Sequence, residues 1–91
     1  MTARRIVIAG RVQGVGYRDW MCDKAASLGL AGWVRNRRDG TVEAVIDGEE
    51  AAVEELLRAC RRGPPLASVR EITEEWADPP ETIVFLRLPT V

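Results

Sequence analysis

The apolar spacing of this chain changes period repeatedly, and the order of those changes constrains the fold more than any single residue does. Ile6-Val7-Ile8 is a short β-branched run, so residues 4–9 read as a strand bounded by glycine. Over residues 18–28 the period becomes helical. Met21, Ala25 and Leu28 recur on one face, joined by Trp20 or Cys22, and Gly29 follows as a C-cap. Residues 32–36 read as a second strand, and Arg37-Arg38-Asp39-Gly40 as a hairpin turn signalled by Asp-Gly. Residues 41–47 form the third strand. Val42, Ala44 and Ile46 alternate there with Thr41, Glu43 and Asp47, which predicts an exposed Glu43.

Asp47-Gly48-Glu49-Glu50 opens a second helix, with acids where the helix dipole favours them. Val53, Leu56, Leu57 and Cys60 give its apolar stripe. Arg58, Arg61 and Arg62 lie towards its C-terminal end, and Gly63-Pro64-Pro65 stops it. Residues 68–76 read as a fourth strand in which Val69 is out of step with Ile72, Glu74 and Trp76; a β-bulge accounts for that break. Asp78-Pro79-Pro80 is a loop, and residues 82–88 are a last strand. The order is β-α-β-β-α-β plus one strand. It predicts an α+β, ferredoxin-like sandwich with two helices on one face of an antiparallel sheet and an additional edge strand. Such a fold hosts many functions, so function has to be argued from a site.

Ninety-one residues suit one domain with one modest core, spanning 1–91. No apolar run approaches a membrane span, and the apolar run after Arg4-Arg5 is too short for a signal peptide. The expectation is a cytoplasmic protein. Cys22 and Cys60 are far apart, no CxxC occurs and histidine is absent, which argues against a Cys/His zinc site and for two free thiols. The net charge is −1, but residues 1–45 carry eight basic and four acidic side chains and residues 46–91 carry five and ten. A basic N-terminal half suits an anionic small molecule, while the acidity of the remainder weighs against nucleic acid.

Between the first strand and the first helix stands "GRVQGVGYR", residues 10–18. Glycines let the backbone turn without Cβ clashes, and successive N–H groups can then form an anion-binding concavity. The helix N-terminus adds further unpaired N–H groups, and Arg18 adds a guanidinium whose fork matches phosphate oxygens. Residues 13–18 are thus composed to hold a phosphate. Most glycine loops bind nothing, however, and an arginine there is commonly just solvated, so composition alone leaves both readings open. The loop has neither GK[ST] nor GxGxxG spacing, which sets aside Walker-type and dinucleotide-binding loops.

Together with "GWVRNRRDGTVE" at residues 32–43, the glycine segment resembles the two signatures of the acylphosphatase family; "GPPLASV" at residues 63–69 resembles the segment after that family's second helix. The resemblance covers nearly the whole chain in order and spacing. It implies a small, ferredoxin-like, metal-independent and cofactor-free monomeric hydrolase that converts acyl phosphates to a carboxylate and inorganic phosphate. It makes Arg18 the phosphate-binding arginine and Asn36 the residue that orients the attacking water. Gly14, Val15, Gly16 and Tyr17 correspond to the phosphate cradle. Tyr17 stands where phenylalanine is commoner, Ala9 where many members carry a larger or polar residue, and the C-terminal residues lack the usual aromatic ending.

The chemistry implied by the resemblance needs no histidine. An acyl phosphate's leaving group is a carboxylate, which departs without protonation. Phosphoryl transfer asks chiefly for positioning and charge stabilisation, which Arg18 and the loop amides supply, while an asparagine amide holds water in line. The substrate phosphate itself then takes the water's proton. Taken alone, Asn36 is a turn former; its pairing with the first motif makes it a candidate. Arg35, Arg37 and Arg38 read as a solvated hairpin end, Asp39 as turn chemistry, and Trp20, Trp33 and Trp76 as core or half-buried packing. A nucleic-acid module on this fold would need aromatics on the central strands, and none is there. A metal chaperone would need a CxxC. A phosphate-binding domain without turnover shares Arg18 and stays open.

Overall fold

The structure is a computed structural model and describes residues 3–91. In order, the elements are β1 (Ala3–Arg11), α1 (Tyr17–Ser27), β2 (Ala31–Asn36), β3 (Val42–Asp47), α2 (Glu50–Arg62), β4 (Ser68–Ala77) and β5 (Phe85–Arg87). They form a five-stranded sheet in the order β4-β1-β3-β2-β5. The first four strands pair antiparallel, with Ile6 opposite Ala44 on β3 and Glu74 on β4. Ile6, Ile8, Val34, Val42, Ala44 and Ile46 are fully buried with Met21 and Ala25 of α1 and Leu56 and Cys60 of α2 in one apolar core. This is the ferredoxin-like sandwich.

Local signals explain the element ends. The amides of Gly29 and Leu30 donate to Ala26 and Ala25 at 3.1 and 2.9 Å, which closes α1 as a Schellman motif around Gly29 at φ 70°. The β2–β3 turn is held by Asp39, whose carboxylate accepts from the amide and hydroxyl of Thr41 at 2.9 and 2.6 Å. The expected bulge is a register shift: Ala9 faces Glu71 but Gly10 faces Val69, so Arg70 is the extra residue. Gly10 sits at φ 127°, and a Cβ there would lie 2.7 Å from the Arg70 nitrogen. Beyond this bulge β1 continues to Arg11, two residues past its expected end.

Four expectations need correction. β5 is shorter than residues 82–88 and runs parallel to β2, so the sheet is mixed. The chain leaves β4 at one edge and crosses to the opposite edge, where it meets β2 in the same direction. Leu88 and Val91 still donate to Val34 and Asn36 carbonyls at 2.9 and 3.1 Å, but Pro89 has no N–H to extend the ladder. Glu43 is buried, at 5% exposure, because Arg5 and Arg35 close over it. Arg35 is correspondingly half-buried, stacked 4.5 Å from the Trp33 ring and bound to Glu43 in place of a freely solvated position. Trp20 and Trp33 are half-buried as expected, but Trp76 is 67% exposed, since β4 is an edge strand. The Arg4 guanidinium stacks over the Trp76 ring, 4.6 Å from the centroid.

Candidate active site

Val12 ends the run of core residues that β1 carries, and the next four residues turn the chain into α1. Gly14 and Gly16 take φ of 73° and 78°, with Val15 between them at negative φ. Alternation of this kind turns successive amides to one side and makes an anion-binding nest. No atom lies within 4 Å of a Cβ built on either glycine, so both are required by conformation and not by space. The amides of Gly14, Val15 and Gly16 find no acceptor among the described residues. The first α-helical bond runs from Trp20 to the Gly16 carbonyl at 3.0 Å, so the Tyr17, Arg18 and Asp19 amides are the orphans of the helix start.

The loop is held at both ends. The Tyr17 side chain points into the core, where its hydroxyl donates to the Cys60 carbonyl at 2.5 Å. That carbonyl belongs to the last turn of α2, which has no helical amide to accept from. Burial keeps the Tyr17 phenol protonated far above its ordinary range, and burial pushes the Cys60 thiol up to about 12. On the other side the Gln13 amide donates to the carbonyls of Arg37 and Thr41 at 2.7 and 2.8 Å. This ties the loop to the hairpin that begins one residue after Asn36.

The result is a cleft of about 230 Å³ lined by Val12, Gly14, Gly16, Tyr17, Arg18, Asp19, Asn36 and Arg87. Five of the six residues picked from sequence are therefore together: Gly14, Gly16, Tyr17, Arg18 and Asn36. Val15 is the exception; it packs half-buried against the core. The Arg18 and Asn36 side chains are half-buried, and neither has a hydrogen bond or ion pair with another described residue. A guanidinium and a carboxamide are thus left available beside a row of unpaired amides, which is a donor set for an oxyanion and a water.

Sequence reasoning missed Asp19 and Arg87, whose Nη1 and Oδ1 atoms are 2.6 Å apart, and the tether made by Gln13. Asp19 adjoins Arg18 in the first motif, and that was the only available signal. Arg87 arrives through the parallel strand and had none. Burial raises the neighbouring Cys22 thiol; the charges of Asp19 and Asp23 add to this and Arg87 opposes it. The remaining arginines named in the hairpin, Arg35, Arg37 and Arg38, line a separate cleft with Arg5 and Glu43. Among the described residues no group of three His, Cys, Asp or Glu side chains is placed to hold a metal ion.

An acylphosphatase family model matches residues 4–85. The acylphosphatase of Acidiphilium cryptum is 59% identical over 90 residues, covering 99% of each chain. That of Rhodopseudomonas palustris is 51% identical over 86 residues, covering 94% of this chain and 85% of the relative. The crystal structure of acylphosphatase from Bacillus subtilis matches with a TM-score of 0.90 at 37% identity, over 97% of this chain and 99% of that one. Fold, family match and near full-length identity converge: the chain belongs to the acylphosphatase family, hydrolases acting on acyl phosphates.

Proposed function

We propose that the chain, as a single domain over residues 1–91, hydrolyses the carboxyl–phosphate bond of small acyl phosphates without a metal or other cofactor. The phosphoryl group sits on the amides of Gly14, Val15, Gly16, Tyr17 and Arg18 and on the Arg18 guanidinium. These donors meet the charge on the equatorial oxygens as the bond to the leaving carboxylate breaks. Asn36 holds the attacking water in line, and the substrate phosphate takes its proton. The carboxylate leaves unprotonated, so no acid is required. The observation that carries this reading is the cleft of about 230 Å³ that has Arg18, Asn36 and the nest glycines in its walls. We also infer a cytoplasmic monomer acting on a small molecule and on neither nucleic acid nor membrane. Among the described residues no helix is long and apolar enough to cross a membrane.

The test is benzoyl phosphate hydrolysis in EDTA by the wild type, Arg18→Ala and Asn36→Ala. Wild-type turnover should persist. Arg18→Ala should lose about 10²–10³-fold in kcat/KM, the range for one transition-state donor. Asn36→Ala should lose kcat while inorganic phosphate still inhibits with unchanged affinity. A folded wild type that turns over only when Mg²⁺ is restored, or variants as fast as the wild type, would overturn the mechanism.

A further inference from the structure

Arg87 lies in the same cleft as Arg18 but comes from a different part of the fold. It ends β5 and pairs in register with Val34, two residues before Asn36 on β2. Its Nη1 donates to Asp19 Oδ1 at 2.6 Å. Asp19 is the third residue of α1, one position after Arg18. The helix dipole favours a carboxylate there, but the same carboxylate repels a phosphoryl dianion. Arg87 cancels that repulsion.

Cancellation uses only part of the side chain. A guanidinium carries five N–H donors, and among the described residues Arg87 gives a bond to Asp19 alone. The side chains of Arg87 and Asp19 are 46% and 69% exposed, so water screens the pair and either partner can exchange it. A neutral acyl group would gain nothing from such a fork. A carboxylate at the far end of the acyl chain would gain a charge-assisted, bidentate contact. The cleft, at about 230 Å³, is roughly eight water molecules' worth of space, which suits a short chain beside the phosphoryl group.

We propose that Arg87 forms a second anion subsite in the cleft, which selects short acyl phosphates whose acyl group ends in a carboxylate, with Asp19 as the partner it exchanges. The inference rests on the phosphoryl group being held by Arg18 and the loop amides.

The experiment compares succinyl phosphate with butyryl phosphate, which has the same chain length and no carboxylate. Wild type should prefer succinyl phosphate in kcat/KM, and Arg87→Gln should lower the succinyl-to-butyryl ratio about tenfold, the effect of one charge-assisted hydrogen bond. Arg87→Lys should restore part of the ratio, because it keeps the charge without the fork. Asp19→Asn should raise the ratio by freeing Arg87, and this arm stands even if position 87 variants fold poorly. A ratio unchanged in both Arg87→Gln and Asp19→Asn, or equal losses on both substrates, would overturn the subsite and leave Arg87 as the neutraliser of Asp19. The phosphoryl reading fails separately: its sign would be wild-type turnover of butyryl phosphate by Arg18→Ala.

Discussion

At Gly16 the backbone sits at φ 78° and ψ 21°, the left-handed helical basin, in the one residue that joins the glycine loop to α1. Gly29 sits in the same region, at φ 70°, at the far end of the same helix. Neither has an atom within 4 Å of a Cβ position, so alanine at either site meets a conformational cost and no clash. That cost is about 1–2 kcal/mol for an L-residue. The two positions differ in what their amides do. Gly16 contributes to the row of unpaired N–H groups, whereas the Gly29 amide already donates to Ala26 at 3.1 Å. We expect Gly16→Ala and Gly29→Ala to lose similar stability in urea, about 1–2 kcal/mol each. Only Gly16→Ala should lose kcat/KM for benzoyl phosphate, by about tenfold or more, because the nest amides re-aim. Equal kinetics in the two variants would remove the nest from the mechanism.

On the sheet face away from the helices, a charged ladder crosses four strands. Arg35 on β2 and Arg5 on β1 both bind Glu43 on β3, with contacts at 2.7 and 2.6 Å, and Arg5 continues to Glu75 on β4 at 2.7 Å. Burial alone would raise the Glu43 pKa, but the hydrogen bonds from Arg35 and Arg5, and then their charges, outweigh it and hold the carboxyl below 4.5. A depressed folded pKa means stability that is complete above the unfolded value and is lost as pH falls through the folded one. Glu43→Gln should therefore cost about 1.5–3 kcal/mol at pH 7, the range for hydrogen bonds to a charged group. The gap to wild type should begin to narrow where the unfolded carboxyl takes up its proton, and close only as pH falls further, through the depressed folded value, where the wild-type carboxyl protonates in the native state too. Urea titrations at pH 7, 5, 4 and 3 would show it; a gap constant with pH would assign the effect to packing. This carboxylate also marks where sequence reading stopped. Helix ends, the Asp-Gly turn and the strand pairs around it were legible because their signals are local. Alternation put Glu43 on an exposed face, yet β3 is central and its covering partner Arg5 is 38 residues away. The parallel sense of β5, and with it the arrival of Arg87 at the cleft, depends on which sheet edge the chain crosses to, and no local signal encodes that. The candidate site was legible in Gly14, Gly16, Arg18 and Asn36 because glycine spacing and two motifs carry it, whereas the grip of Gln13 on the hairpin carbonyls exists only once the fold has formed.

Across the whole molecule, two acids of the C-terminal half, Glu49 and Asp78, stand at the end remote from the cleft. The cleft lies beyond the Arg11 end of β1. At the opposite end, Arg4 faces Ile46 and Ala3 faces Ala77, so the acids that follow those partners, Glu49 and Asp78, gather away from the cleft. The molecule is 31 Å along its longest axis. The Debye length is about 30 Å at 0.01 M salt and about 10 Å at 0.1 M, so the distant acids reach an approaching phosphoryl dianion only at low salt. Near the cleft, Arg18 and Arg87 act at either ionic strength, since their range is short. Two results follow for kcat/KM on benzoyl phosphate. Wild type should slow as salt rises from 0.1 to 0.5 M, when the local cations are themselves screened. The double substitution Glu49→Gln and Asp78→Asn should speed the reaction by about a factor of two at 0.01 M and leave it unchanged at 0.1 M. If the substitutions act equally at both salts, they work through structure and not through the long-range field. If neither salt nor substitution moves kcat/KM, encounter with the dianion is not steered by the protein's charge, and the separation of acids from the cleft has no kinetic consequence.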